Sequence, residues 1–334
     1  MTASGSTFSA AFGSTFSAAF GWARRHVRAG RLPTAVLGIA SADGIVALDG
    51  FGAATDAVYP QFSITKALVG ITAARAIERG LLTLETPLTT ALPEFGAERD
   101  DIVRLRHLVS HTSGISEPAL DTAVPLRTEL LTQGRDFRAG TASRYSTLAF
   151  EGVAALTEHA TGVSWHEDTR AWAHTIGADG LTLDHTGSID VVDAADAGLD
   201  IDRFRAQRSA GAGLLGRAED LLRIGSELLR IHAGKTDGIL APATLQMMLR
   251  PLTGDIPRLE PYPTERGQDW GLTFNLRTRA PGLIDRDAYG HGGWAGTEFW
   301  VHPSAGLCWV LQTNRAERPG VDIDELDNAV VSGR

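Results

Sequence analysis

Residues 61–80 constrain the fold most, because they combine an apolar helical pattern with one isolated charge. Between residues 64 and 74, every residue other than Lys66 is apolar, small or threonine, and Gly80 follows at a position where helices commonly end. A helix that is apolar on all sides is normally buried in a larger core. The pattern therefore predicts a central buried helix in which Lys66 is the only charge of the first three turns.

Lys66 and Ser63 are spaced for contact. A buried ammonium is costly, so such a lysine is usually paired or has a lowered pKa. On a helix, side chains three residues apart have Cβ atoms about 5 to 6 Å from each other. Ser63 also opens the helix, where free N–H groups favour an anion. The spacing favours an activated serine nucleophile. The alternative is that Ser63 only caps the helix while Lys66 reaches the surface.

Composition limits the other possibilities. With 334 residues and 43% hydrophobic content, the chain can form one large domain or two that share a core. Net charge is −9, without a basic cluster, which argues against a nucleic-acid partner. No apolar run is long enough for a transmembrane helix, and the first residues do not resemble a signal peptide. Cys308 is the only cysteine, so a buried packing role and a cytoplasmic location are expected.

The order of patterns predicts two structural regions. Residues 5–12 are repeated unchanged at 13–20, and we expect residues 1–20 to be a duplicated, frayed segment. Strand patterns at residues 36–40 and 45–51, together with 270–276, 297–302 and 307–313, predict an antiparallel sheet. The predicted sheet domain comprises residues 21–62 and 245–334. Residues 63–244 are predicted to be mostly helical, with the site at the junction.

Two further segments carry candidate site residues. Tyr145 follows a loop rich in glycine, serine and threonine, and its phenol could share a proton with Lys66 and Ser63 or simply pack by its ring. In residues 289–296, glycines lie between aromatic residues. There the backbone N–H of Trp294 is a candidate oxyanion donor, while a tight turn is the alternative.

Metal and cofactor sites have little support in the sequence. His107 and His111 are four residues apart, but no acidic cluster accompanies them, which argues against a metal site. Glycine-rich nucleotide-binding loops are also missing. We therefore expect neither a metal nor another cofactor.

Together these segments resemble the serine β-lactamase and penicillin-binding-protein superfamily, especially class C β-lactamases and family VIII carboxylesterases. The resemblance rests on residues 62–66, 105–115, 145–147 and 290–294. It implies an α+β, β-lactamase/transpeptidase-like fold, with an antiparallel sheet flanked by helices plus an all-α domain. It also implies that Ser63 is the nucleophile and that Lys66 accepts its proton together with Tyr145. The backbone N–H groups of Ser63 and Trp294 would form the oxyanion hole.

Departures from the family pattern narrow the expected substrate. His291-Gly292-Gly293 replaces Lys-Thr-Gly, which removes a fixed cation for a substrate carboxylate. Thr147 replaces the usual asparagine, which removes an amide that would contact an acylamino group. Trp270 and Trp294 are candidates for the wall of an apolar pocket.

The sequence thus predicts a serine carboxylesterase for small to medium esters. The alternatives are a β-lactamase, a D-amino-acid peptidase, an amidase or an acyltransferase that uses the same site. A non-catalytic binding or sensor protein on this fold is the alternative from another class. The oligomeric state is left open.

Overall fold

The two ends of the chain build one antiparallel sheet. The computed structural model describes residues 15–259, 268–280 and 283–333. In these residues, seven strands pair in the order β2-β1-β9-β8-β7-β6-β5, and every pair is antiparallel. The strands of this sheet are β1 (Ala35–Ser41), β2 (Gly44–Phe51), β5 (Asp269–Trp270), β6 (Asn275–Leu276), β7 (Tyr289–Gly292), β8 (Glu298–His302) and β9 (Leu307–Gln312). Strands β3 (Tyr59–Pro60) and β4 (Leu215–Gly216) form a separate short ladder.

Helices cover both faces of the sheet and form a bundle beside it. The described helices are α1 (Ser17–Arg28), α2 (Ile64–Glu78), α3 (Leu105–Val109), α4 (Leu126–Thr132), α5 (Ala149–Thr161), α6 (Trp165–His174), α7 (Ile201–Gln207), α8 (Ala218–His232), α9 (Pro242–Met248) and α10 (Ile323–Val331). The predicted α+β architecture, with an antiparallel sheet flanked by helices, is confirmed. None of the described helices is both long and apolar enough to cross a membrane.

The duplicated segment lies partly outside the described residues. Its first copy, residues 5–12, is not among them. In the second copy, Phe16 and Ala19 are buried in an apolar cluster with Trp22, where α1 and α10 cover one face of the sheet. Residues 16–20 therefore belong to the packed structure, so the prediction of a frayed segment is wrong for them, and residues 1–14 lie outside the described part of the chain.

The opposite face of the sheet is covered by α8, which packs on β1 and β9. Gly225 of α8 permits this approach, because a Cβ atom there would lie 2.4 Å from the Sγ atom of Cys308. Cys308 is fully buried, as its apolar surroundings in the sequence predict. Helix α8 lies within residues 63–244, which were assigned to the helical domain, yet it packs on the sheet. The predicted boundary between the sheet domain and the helical domain therefore does not match the packing of α8.

The buried helix that the sequence predicts is α2. Twelve of its fifteen residues are buried, and it contacts α5, α6 and α9 as well as β7. Gly80 follows it with φ of 72°, and the Leu81 N–H donates to the carbonyl of Ala76. Since α2 contacts both the sheet and the helical bundle, its first residue lies at their junction.

One predicted strand is wrong. Residues 270–276 form two short strands, β5 and β6, joined by a turn in which Thr273 has φ of 65°. The turn packs tightly on α2, because a Cβ atom at Gly70 would lie 1.8 Å from the Thr273 Oγ1 atom. The N–H of Thr273 donates to the carbonyl of Val109. Contacts from two distant segments therefore override the strand pattern.

Candidate active site

Ser63 sits at a sharp backbone bend directly before α2. Phe62 has φ of 45°, a left-handed conformation that costs energy for a bulky residue. Its ring is fully buried and lies 5.1 Å from the ring of Phe204 and 5.3 Å from that of Trp294. Ser63 itself is half-buried, and its side chain makes no capping hydrogen bond to α2. A simple capping role for Ser63 is therefore wrong.

Lys66 is fully buried and does not reach the surface. Its Nζ atom lies 3.1 Å from Ser63 Oγ, 3.1 Å from Thr147 Oγ1 and 2.8 Å from the carbonyl oxygen of Gly211. Burial lowers the pKa of Lys66 to about 7, although the charge of Glu117 opposes this fall. Near neutral pH, a large fraction of Lys66 is therefore the uncharged amine, which can accept a proton.

Tyr145 covers Lys66 from the side of the helical bundle. Its ring centroid lies 4.7 Å from Lys66 Nζ, and the ring stacks on His111 at 4.3 Å. The phenol oxygen is 3.4 Å from His291 Nε2. The structure thus brings Tyr145 and Thr147 to Lys66.

His291 is uncharged near neutral pH. Burial, followed by the charge of Lys66, lowers its pKa to about 3. Its Nδ1 atom lies 2.7 Å from the carbonyl oxygen of Gly292. A neutral ring in this position donates through Nδ1–H, so Nε2 is left to accept the hydroxyl of Tyr145. His291 therefore supplies no fixed positive charge beside Tyr145.

Two backbone N–H groups are available beside Ser63. Among the described residues, neither the N–H of Ser63 nor that of Trp294 has a protein acceptor. Gly293 fixes the turn, since its N–H donates to the Thr297 carbonyl at 2.6 Å. Free N–H groups of this kind suit an oxyanion.

The tryptophans divide by environment. Trp294 is half-buried, while Trp270 is only 3% exposed. The ring of Trp270 lies 4.4 Å from that of His111 and 5.5 Å from that of His291. Trp270 packs against both histidine rings and has almost no exposed surface. The half-buried Trp294 is therefore the better candidate for a pocket wall. Trp300 and Trp309 are buried in the sheet layer.

The sequence alone assigns no catalytic role to two residues that lie near Ser63 and Lys66. The first is His111, which has φ of 58° and accepts the N–H of Ser146 at Nδ1. Burial keeps its pKa well below the usual range. The second is Glu117, whose carboxylate accepts the N–H groups of Thr147 and Leu148. His111 lies in a segment that carries the family resemblance, but no local pattern indicates Glu117.

The two histidines considered as a metal pair have other partners. His107 Nδ1 accepts the N–H of Arg104 at 3.1 Å, while His111 lies under Tyr145. In the part of the chain that the structure describes, no group of three or more His, Cys, Asp or Glu side chains is arranged for a metal ion.

The fold and the Ser63–Lys66 pair define a serine hydrolase of the β-lactamase and penicillin-binding-protein type. The family model described as Beta-lactamase matches residues 21–332, so the chain belongs to that family.

Known relatives with this fold include esterases. Esterase EstB from Burkholderia gladioli is 26% identical to this chain over 327 residues, which covers 78% of each protein. The structure of EstCE1, described as a hydrolase with promiscuous acyltransferase activity, matches with a TM-score of 0.76 and 22% identity, covering 97% of this chain and all of that one. A family VIII carboxylesterase matches with a TM-score of 0.73 and 18% identity, covering 96% of this chain and 97% of its own. The two structural matches show a shared fold.

Proposed function

We propose that this protein hydrolyses small to medium carboxylic esters through an acyl-enzyme on Ser63. The observation that carries the proposal is the 3.1 Å contact between Ser63 Oγ and a buried lysine whose pKa is about 7. A base with a pKa near the working pH combines the correct protonation state with a useful driving force for proton transfer. The similarity to Esterase EstB supports an ester as the substrate.

In the proposed acylation step, neutral Lys66 accepts the hydroxyl proton as Ser63 Oγ attacks the ester carbonyl carbon. The carbonyl oxygen gains negative charge and accepts hydrogen bonds from the N–H groups of Ser63 and Trp294. When the tetrahedral intermediate collapses, the bond to the alcohol oxygen breaks. Tyr145 gives its proton to the leaving alkoxide, and the ammonium of Lys66 restores the proton of Tyr145.

Deacylation follows the same steps with water as the nucleophile. The Lys66 and Tyr145 pair removes a proton from water as the water oxygen attacks the acyl carbonyl. Collapse of the second intermediate breaks the bond to Ser63 Oγ, which regains its proton. The carboxylic acid is released, and the enzyme returns to its starting state.

Two features favour an ester over a β-lactam or a D-alanyl peptide. The ring of His291 is neutral near pH 7, so residues 291–293 offer no fixed charge to a substrate carboxylate. Next to Ser63 in the chain, Phe62 is buried in an apolar cluster with Phe204, and Trp294, which packs against this cluster, is half-buried and so can face a substrate. An apolar acyl or alcohol group fits such surroundings better than an ionised one.

The test compares p-nitrophenyl acetate, butyrate and octanoate with a chromogenic cephalosporin and a D-alanyl p-nitroanilide. We expect ester turnover that Ser63→Ala abolishes, with much slower cleavage of the other two substrates. Faster cephalosporin or anilide turnover would instead assign the protein to the β-lactamases or the D-amino-acid peptidases. Product analysis with an added alcohol would reveal acyl transfer as a competing reaction. A folded protein that cleaves none of these substrates would contradict the proposal.

Removing the phenol of Tyr145 should slow both proton transfers. We expect Tyr145→Phe to lower kcat by about 10² to 10⁴-fold, the usual contribution of a positioned acid or base. The phenylalanine ring keeps the stacking on His111 and the contact with Lys66, so folding should change little. Near-normal turnover in this variant would show that Tyr145 is not the proton donor.

The pH dependence should follow Lys66. Because only the uncharged amine accepts a proton, kcat/KM should rise as pH increases through about 7 and fall about tenfold per unit below it. Burial holds the pKa of His111 well below its usual range and lowers that of His291 to about 3, so a limb near pH 7 is assigned to Lys66. The measurement is kcat/KM for p-nitrophenyl butyrate between pH 5 and 9, with the p-nitrophenol signal corrected at each pH. An acidic limb centred well below pH 6 would contradict the assignment.

A further inference from the structure

Glu117 reaches the active site from the loop between α3 and α4. The residue is exposed as a whole, yet its carboxylate meets groups of the buried segment around Thr147. One oxygen accepts the N–H of Thr147 at 2.7 Å and that of Leu148 at 3.2 Å. The other accepts the hydroxyl of Ser146 at 2.7 Å and shares the Leu148 N–H at 3.2 Å.

These contacts connect Glu117 to Lys66 through one residue. Thr147 donates its N–H to Glu117, and its Oγ1 accepts a hydrogen bond from Lys66 Nζ at 3.1 Å. Tyr145 is only two residues earlier in the same segment. The carboxylate also lies at the N-terminal end of α5, where the helix dipole favours negative charge. The carboxylate therefore contacts the segment that carries Thr147 and, two residues earlier, Tyr145.

We propose that Glu117 is a positioning residue, which holds residues 145–147 against Lys66 and supplies the negative charge opposite the Lys66 ammonium. All four contacts of its carboxylate come from donors, as an ionised carboxylate requires. Among the described residues, no arginine, lysine or histidine forms an ion pair with Glu117. The charge of Lys66 nevertheless acts on this carboxyl and lowers its pKa, against the larger effect of burial, which raises it.

The other titratable groups around Lys66 do not supply this charge. His111 and His291 are neutral near pH 7, and Tyr145 contributes its ring face. Glu151 on α5 is also buried and accepts the N–H of Ala210 at 2.9 Å, but of these two carboxylates only that of Glu117 interacts with the charge of Lys66. The charge of Glu117 raises the pKa of Lys66 against the larger effect of burial. Without that charge, the amine would lose its proton at a lower pH.

The experiment is an NMR titration with lysine labelled with ¹³C at Cε. The chain has only Lys66 and Lys235, so the spectrum contains two lysine signals, and the exposed Lys235 is the internal reference. In Glu117→Gln, we expect the Lys66 midpoint to fall by about half a pH unit or more, because a nearby opposite charge favours the ammonium. The acidic limb of kcat/KM should move to lower pH by the same amount.

Two variants separate charge from folding. Glu94→Gln removes one charge from an exposed position and should leave the Lys66 midpoint unchanged. Ser146→Ala removes one contact of the Glu117 carboxylate while keeping its charge, so the melting temperature should fall with little shift in the midpoint. An unchanged midpoint in Glu117→Gln would overturn the inference.

The inference rests on the proposed function for its kinetic part only. The NMR midpoint reports the charge interaction whether or not an ester is the substrate. A shifted midpoint in a protein that hydrolyses no ester would support the Glu117–Lys66 interaction and reject the proposed function. Ester hydrolysis with equal Lys66 midpoints in wild type and Glu117→Gln would support the proposed function and reject the Glu117–Lys66 interaction.

Discussion

Lys66→Met is expected to lower kcat and kcat/KM together by about 10² to 10⁴-fold, because the variant loses the base that activates Ser63. Lys66 is fully buried among Tyr145, Phe150 and α2, and methionine fills nearly the same space without a charge. Folding should therefore be retained. The measurement is steady-state hydrolysis of p-nitrophenyl butyrate, with the melting temperature recorded for the same samples.

The second lysine of the chain provides a matched control. Lys235 is exposed and lies in the loop between α8 and α9. Lys235→Met makes the same chemical change away from the site, so it should leave turnover at the wild-type level. Equal activity in both variants would contradict the role of Lys66 as the base.

Gly293→Ala is expected to lower kcat by about 10² to 10³-fold, the usual effect of losing one oxyanion donor. A Cβ atom at this position would lie 2.0 Å from Thr297 Oγ1 and 2.6 Å from the backbone oxygen of Gln61. Part of this contact is with backbone, so the turn must move. That movement displaces the N–H of Trp294 and disturbs the chain two residues before Ser63.

Gly134→Ala is the matched control for the glycine substitution. Its added Cβ would have only Ser116 Oγ nearby, at an ordinary 3.8 Å. It should leave the kinetics unchanged. A folded Gly293→Ala protein with wild-type turnover would show that the Trp294 N–H is not an oxyanion donor.

The parts of the site that could be predicted are those in which a local pattern carries the geometry. The three-residue spacing between Ser63 and Lys66 places both on one side of α2, and the apolar residues around them indicate burial. The glycines before Trp294 similarly mark a tight turn. Family resemblance was needed for Tyr145, because nothing within residues 140–147 indicates that they fold against α2.

Features that depend on distant contacts could not be predicted. Glu117 reaches the N-terminal end of α5 only because its loop folds across the 145–148 segment. The left-handed backbone of Phe62 is maintained by packing against Phe204 and Trp294, far away in the sequence. For the same reason, the strand pattern of residues 270–276 does not indicate the turn at Thr273, since α2 and Val109 determine its shape.

The central claim is that Ser63 carries the acyl group, and peptide mass spectrometry of the trapped acyl-enzyme tests it most directly. The wild type is mixed rapidly with p-nitrophenyl octanoate, quenched in acid and digested. We predict a mass increase of one octanoyl group, confined to the peptide that contains Ser63 and missing in Ser63→Ala. An octanoyl group on another residue, or ester hydrolysis that Ser63→Ala retains in full, would contradict the account.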